Sequence, residues 1–570
     1  MIFLTTILID SCKKWECEIM SNKEIQPTFF IINARKREKL KLFCIMASKL
    51  NADCLTEIFE ILESDQVTTS RSCTLHSCIL VNRQWCSLAI KILWKNPWNY
   101  RKNLECVAHT IINTFISTFS KESKEKLKEN KIIIIPNEIL TRETIFNYAK
   151  YLKNLNLFHL EITLESWFHY LLSSQRQLQR QQHQQHQQMD DDVTKISLRN
   201  YKFIFEELLI NFFNQSTNIL NLNVSACRDS SISSLTNSIE QSTRAMDCLA
   251  NLRYFKCSGT MPKLYSLLSN ISPNLIRIHI ERYMITEELA NLINVQNNLK
   301  EIGFHKHPSL RHPPLSLTNN IIGTSLINQS SSIETLIIKG IYFQSKNLSY
   351  FENLKELNIR ICGGMRYTRE ELLPLALVSL NHLQTFFWYS THYIYLDLFP
   401  NFFRNNGKNL KFITIKGFMI SDPENAGILI NSIANHCINL RSFSGPILRE
   451  NILELTKMIE NCKELQSLTL HPSRKKCYGP QKKECFDELM NVLINQQKNI
   501  RLSELTIVYS WKFSFLQFER LMKKFEEMQK KKFKFSFDPN ILKDQNFKYI
   551  ANKFIDLGIL KEIIDFEFGQ

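Results

Sequence analysis

Glycine is scarce in this chain, 13 among 570 residues. Neither G-x-x-x-x-G-K-[ST] nor G-x-G-x-x-G occurs, so the two familiar phosphate-cradling loops are not encoded. No G-x-S-x-G, H-E-x-x-H or Cys-Gly-[SA]-Cys signature is present, and no nucleophile–base set can be assembled from the sequence. The sixteen cysteines contain no CxxC pair. Cys73-x4-Cys78 and Cys477-x7-Cys485 lack the matching partners of a zinc site. Many thiols fall at apolar positions (Cys54, Cys78, Cys86, Cys257, Cys437), as buried thiols in a reducing compartment do. A chain without catalytic residues, metal ligands or cofactors is therefore expected. Long hydrophobic runs are also missing. A spanning helix needs about 20 apolar residues, and the apolar start MIFLTTILID is ended by Asp10 and has no basic leader. Met46 offers a second start, which makes residues 1–45 an expected extension of uncertain role. No membrane association is expected, and the localisation reads as cytoplasmic, nuclear or both.

What the chain does hold is apolar and basic. It is 44% hydrophobic and 11% aromatic, enough for large cores, with a net charge of +16. Its length calls for two or more units, or a repeat array whose core grows along one axis. The positive charge is dispersed, and the runs Arg35-Lys36-Arg37, Arg474-Lys475-Lys476 and Lys530-Lys531-Lys532 carry no interleaved aromatics. They are expected to be solvated faces and loop ends, so nucleic acid is an unfavoured partner.

LVNRQWCSLAIKILWKNPW, residues 80–98, holds three of the seven tryptophans. Upstream, LNADCLTEIFEIL reads as a capped helix, with Asn51 or Asp53 as cap and Leu50 as hydrophobic staple. Leu55, Ile58, Phe59 and Leu62 make its stripe, widened by Cys54 and Ile61. Thr74–Val81 reads as a second short helix and Arg83 to about Trp94 as a third. In the third, Arg83, Gln84, Ser87 and Lys91 confine polarity to about 100° of the wheel, so it must be buried on two sides. Three short helices cannot supply that cover alone, and the rest of this chain or another protein must.

The segment resembles an F-box, in outline L-P-x-[DE]-[IL]-[LV]-x-x-[IF]-[FL]-x-x-L, a spacer, V-[CSN]-[KR]-x-W and a closing L-W. Leu50, Asp53, Leu55, Ile58, Phe59 and Leu62 match its first half. Val81, Asn82, Arg83, Trp85 and the pair Leu93-Trp94 match its second. Asn51 stands where the family usually has proline, which keeps the capping role without the fixed φ. The resemblance implies docking on a Skp adaptor through Leu50, Asn51, Leu55, Ile58, Phe59, Leu62, Val81 and Trp85. For Trp85 and Leu62 a core role is the stronger expectation, and for Leu50 and Asn51 contact is.

Beyond residue 150 the chain repeats L-x-x-L-x-[apolar]. Copies begin at Leu252, Leu275, Leu299, Ile333, Leu354, Leu383, Leu410, Leu440, Leu465 and Leu502, with looser ones at Leu157 and Ile219. From Ile219 onward the spacing is 21 to 37 residues, about 28 on average, near the roughly 20–29 of leucine-rich repeats. Helix signals lie between copies: Thr286-Glu-Glu before LANLINV, Ser421-Asp-Pro before GILINSIANHC, and Asn451 before ILELTKMIENC. This resembles irregular leucine-rich repeats, lacking the usual later Asn or Cys. The fold class expected is α/β: a short N-terminal three-helix F-box followed by a solenoid of strand-plus-helix repeats. Residues 1–45 are read as an extension, 46–98 as the F-box, 99–150 as a helical linker and 151–517 as the repeats. Within the repeats the Gln/His tract 176–192 is expected to be a disordered insertion. Its His183 and His186 are too few for a metal site. Residues 518–570, rich in Lys, Phe and Glu, are expected to be helices that seal the last repeat.

An F-box followed by leucine-rich repeats resembles the substrate receptors of SCF-type cullin–RING ubiquitin ligases. The resemblance implies a non-catalytic subunit that binds a Skp adaptor, and through it cullin and RING subunits, while the repeats hold a protein target. Residues alternating with the apolar ones along each strand would line the concave face: Arg277, His279, Asn358, Arg360, Phe387, Tyr389, Phe412, Thr414 and Lys416. Phe387, Tyr389 and Phe412 beside Arg360 and Lys416 is a combination enriched at interaction hot spots. An acidic or phosphorylated target segment would suit it. An unremarkable solenoid face, an adaptor-independent repeat scaffold and a basic nucleic-acid-binding solenoid are the competing readings.

Overall fold

The computed structural model describes residues 51–64, 75–76, 78–98, 104–130, 135–181, 190–281, 286–305, 318–340, 344–361, 368–390, 395–417, 423–447, 449–472, 487–495, 501–507, 514–527, 533–537 and 545–565. The chain divides into two compact units, residues 1–255 and 256–570. The expected boundary at 150 is therefore not where packing divides the chain.

In the first unit, helices Ala52–Ser64 and Arg83–Leu93 form where capping and apolar periodicity predict them. Asn51 accepts a hydrogen bond from the Cys54 N–H (2.8 Å) and Asn82 one from the Trp85 N–H (2.9 Å). Each satisfies an amide that the first helical turn would otherwise leave unpaired. Leu55, Ile58, Phe59, Leu75, Cys78, Trp85, Ala89, Ile92 and Leu93 make one core. Phe59 meets the Trp85 ring edge-on at 5.2 Å.

The second side of helix Arg83–Leu93 is covered by this same unit. Trp94 packs on Phe115 (5.1 Å) and Tyr148 (4.5 Å). Trp98, fully buried, lies against Phe115 and Phe212. Helices Leu104–Ser117, Lys121–Glu129 and Asn137–Thr141 follow, and they contribute to the core. Ile112, Phe115 and Ile116 are fully buried.

Strands β1 (Asn154–Asn156) and β2 (Asn221–Val224) pair in parallel, with Leu155 opposite Leu222. This corrects the first repeat. The strand trio is Leu152, Leu155 and Leu157, all buried, while Leu157 opens helix Leu157–Gln181. Leu157, Leu160 and Leu164 recur at intervals of three and four, a helical face that also satisfies the looser strand pattern. Of the tract 176–192, residues 176–181 end one helix and 190–192 begin the helix Asp190–Gln215, and 182–189 lie outside the described residues. His183 and His186 lie outside the described residues.

Strand β3 (Tyr254–Ser258) carries the division between the units. The second unit continues with β4 (Arg277–Glu281), β5 (Glu301–His305), β6 (Thr335–Lys339), β7 (Glu356–Ile361), β8 (Thr385–Ser390) and β9 (Phe412–Gly417). It ends with β10 (Ser442–Ile447), β11 (Ser467–Pro472), β12 (Glu504–Ile507), β13 (Phe533–Phe537) and β14 (Leu560–Asp565). From β4 to β14 each strand pairs with its sequence neighbours, all parallel, so strand order is sequence order. Helices such as Glu287–Asn294, Phe399–Asn406, Pro423–His436 and Ile452–Asn461 make the returns. Thr286 caps the first of these by accepting from the Leu289 N–H.

Three features build each repeat. Its apolar trio faces inward: Leu299, Ile302 and Phe304, or Leu410, Ile413 and Ile415, are all buried, each contributing about 1.5–3 kcal/mol. A tight turn precedes the trio, with Leu383, Leu410, Leu440 and Leu465 N–H groups donating to the carbonyls of Leu380, Gly407, Cys437 and Cys462. Finally, two consecutive N–H groups converge on one carbonyl of the preceding repeat. Lys411 and Phe412 bond Gln384 O, and Arg441 and Ser442 bond Lys411 O, at 2.8 and 3.0 Å. Buried amides lock the turns: Asn406 accepts from the Leu380 N–H and donates to the carbonyls of Val378 and Phe402.

The C-terminal segment departs from expectation. It contains two further strands, β13 and β14, and not helices alone. Phe535 of β13 stands opposite Leu505 of β12, and Ile563 of β14 stands opposite Phe535.

Gly445 stands where the pattern wants an apolar side chain, because the Phe443 ring fills that space, 2.4 Å from where a Cβ would sit. At Gly407 a Cβ would meet the backbone carbonyl of His436 at 2.7 Å. Backbone cannot swing aside as a side chain can, so Gly407→Ala is expected to cost about 1–3 kcal/mol. A urea titration reads this as a lower midpoint at unchanged slope.

Candidate functional site

Alternation along β4–β12 turns every second side chain away from the apolar trio, onto a half-exposed sheet face. Parallel pairing then aligns equivalent residues across repeats at about 4.8 Å per strand. One row runs His279, Gly303, Ile337, Asn358, Phe387, Thr414, Ser444 and Thr469. The next runs Glu281, His305, Lys339, Arg360, Tyr389 and Lys416.

The nine residues expected on this face do not form one patch. Arg277 and His279 sit three strands from β7 and are engaged by Glu301, at 3.1 and 2.7 Å. These bonds hold the Glu301 carboxyl below its ordinary range despite the opposing effect of burial. Asn358, Arg360, Phe387, Tyr389, Thr414 and Lys416 do come together, as a block two residues deep on three adjacent strands. Phe412, 44% exposed, borders it at the start of β9.

Within that block the charges are unbalanced. The Arg360 guanidinium lies 4.5 Å from the centre of the Phe387 ring, and its Nε is buried without a hydrogen-bond partner. Burial, and then the nearby Arg360 charge, push the Lys416 ammonium below its ordinary pKa. Among the described residues no carboxylate forms an ion pair with either. The carboxylate on the open face of the same strand, Glu356, lies four residues from Arg360, about 13 Å along β7, and burial raises its pKa. Elsewhere on the face Lys256 pairs with Glu281 and Lys534 with Glu504, while Lys300 and Lys355, just before β5 and β7, pair with Glu334.

Three residues that belong to this surface escape a reading of single strands: Lys339, Ser444 and His471. Lys339 is the register partner of Arg360, and His471 bonds Ser444 at 3.0 Å. The signal was available. Lys339, Arg360, Tyr389, Lys416 and His471 each fall six residues after the first apolar residue of their copy, a column seen only when copies are stacked.

The expected adaptor-contact residues divide in the structure. Leu55, Ile58, Phe59 and Trp85 are interior, and Leu62 is half-buried against that core. Asn51 is exposed and occupied as a cap. Val81 is 38% exposed and its neighbour Leu80 86%, while Ile61, on the outer side of the first helix, is 44% exposed. Leu50 lies outside the described residues. No helix among the described residues is long and apolar enough to cross a membrane.

Two histidines on the sheet face give a pH prediction. Burial, with Lys416 nearby, pushes His471 down to about 4. Burial and Lys339 do the same to His305, against a smaller opposing pull from Glu281. Both are neutral in the folded state, whereas the unfolded chain takes up protons near the ordinary value of about 6.5. Stability contributed by these groups is therefore whole above about pH 6.5 and falls as the pH drops toward 4. The thermal midpoint is expected to fall between pH 7 and 4.5, and more shallowly in the double variant His305→Gln, His471→Gln.

No protein-family model matches this chain, and no curated protein matches it.

Proposed function

We propose that this chain is the substrate-recognition subunit of an SCF-type cullin–RING ubiquitin ligase. Residues 46–98 act as the F-box that docks a Skp adaptor, and the strand–helix copies act as leucine-rich repeats that bind a protein target. The observation that carries this reading is the pairing of two motifs with the folds they require. The residues matching the F-box pattern make a capped helical core, and the L-x-x-L-x-[apolar] copies make successive parallel strands. Such a receptor performs no bond chemistry. It raises the effective concentration of target lysines near a charged conjugating enzyme.

The interior placement of Leu55, Ile58, Phe59 and Trp85 relocates the adaptor surface. Those side chains hold the helices together, and the apolar groups left outside are Ile61, Leu80 and Val81. An adaptor-independent scaffold is the second reading. It is favoured by one observation, that Trp94 and Trp98, just after helix Arg83–Leu93, pack on Phe115 and Phe212 of the same unit.

Co-expression of the full chain with a Skp adaptor separates the two. Stoichiometric co-purification is expected for the wild type, weakened about tenfold or more by Ile61→Glu with Leu80→Glu, as loss of apolar anchors weakens an interface. Both substitutions are at exposed sites, so circular dichroism and the unfolding midpoint should stay close to wild type. Ile58→Lys with Phe59→Lys would instead open the core. A folded wild type that captures no adaptor would sink the receptor reading and leave the scaffold.

A further inference from the structure

On the open face of the second unit, Lys256 of β3 pairs with Glu281, Arg277 of β4 with Glu301, and Lys534 of β13 with Glu504. Between them, Arg360 and Lys416 stand two strands apart, about 10 Å at their Cα atoms. Tyr389 lies between them in the register, and Lys339 is the next cation along the row. Arg360 and Lys416 are both half-buried, and neither forms an ion pair among the described residues. Two like charges held together, one of them already depressed in pKa, raise the energy of the unliganded face. An anion seated between them removes that cost.

We propose that Arg360 and Lys416 bind a phosphoryl group carried by an extended segment of the protein target, with the Phe387 and Tyr389 rings supporting the residues beside it. This rests on reading the repeat face as the target-binding surface.

The charge count selects the ligand. A phosphorylated side chain carries about −1.5 to −2 near neutral pH, matching two monovalent cations, whereas a carboxylate neutralises one. The guanidinium offers a planar fork for two phosphoryl oxygens and the ammonium a point charge on a flexible stem. The ring beneath Arg360 fixes the direction from which an anion can approach. The extent of the surface argues against nucleic acid. Polyanion binding needs many regularly spaced cations, and Lys256, Arg277 and Lys534 elsewhere on the face are bonded to carboxylates. The face selects one strongly charged group on an otherwise ordinary peptide.

The test uses the full chain and a degenerate peptide library with central phosphoserine, compared with the same library carrying serine or glutamate. Enriched peptides are then titrated by fluorescence anisotropy. Phosphopeptides should bind at least about tenfold more tightly than their glutamate counterparts, a margin in keeping with charge-assisted bidentate bonds. Arg360→Gln and Lys416→Gln should each abolish that margin, and Lys416→Arg should keep most of it. The unfolding midpoint of each variant establishes that it is folded, and either glutamine variant suffices if the other is not. The proposal is overturned by equal binding of phosphoserine and glutamate peptides, by a phosphate preference that survives both glutamine variants, or by no enrichment at all. It is also overturned if a single-stranded oligonucleotide binds through these two residues and phosphopeptides do not. Adaptor capture by the same preparations is expected to be unchanged in every variant. A lost phosphate preference with intact capture thus fails only this inference, and lost capture in the wild type fails only the receptor reading.

Discussion

The second unit depends on a hydrogen bond shared between successive copies. The two N–H groups entering a strand converge on one carbonyl of the copy before, from Lys300 and Glu301 on Ile276 through to Ser503 and Glu504 on Gln466. That contact sets the register of each new strand against the last. Everything lateral in the molecule follows from register, because parallel strands with a side-chain period of two place the same position of every copy in one line. Copies of 21 to 37 residues are tolerated because the extra length goes into the returning segments, where loop closure grows costly only slowly.

A face built this way concentrates whatever a column carries. Where acid and base meet on neighbouring strands, as Arg277 and His279 meet Glu301, the side chains neutralise one another. The column of Lys339, Arg360, Tyr389 and Lys416 holds cations and an aromatic in succession. The local imbalance is therefore a consequence of stacking and not of any one loop.

In the first unit the organising problem was apolar excess on a short helix. Its resolution is internal for the most part: Phe115 contacts Trp94, Trp98 and Phe212, tying the early helices to the long ones that follow. Among the described residues of the segment 51–98, Ile61, Leu80 and Val81 remain exposed. A partner that reads this surface would meet a few apolar anchors on a rigid base, the arrangement in which small contacts gain most.

Several elements were legible in the residues alone. The positions of β3 to β12, the caps at Asn51 and Thr286, and the burial of the leucine trios all follow from local pattern, since apolar spacing and capping act within a few residues. Where the pattern is degenerate it misled. Leu157 satisfies a strand and a helix alike, and the segment expected to be helices alone holds β13 and β14. Tertiary structure alone decided which neighbours share a charge. Arg277, His279, Arg360 and Lys416 look equivalent along their strands, but Glu301 sits across from the first two and, among the described residues, no carboxylate pairs with the last two. Pairing of charges is set by lateral register between segments about thirty residues apart, and a sequence states the order of those segments without stating their alignment.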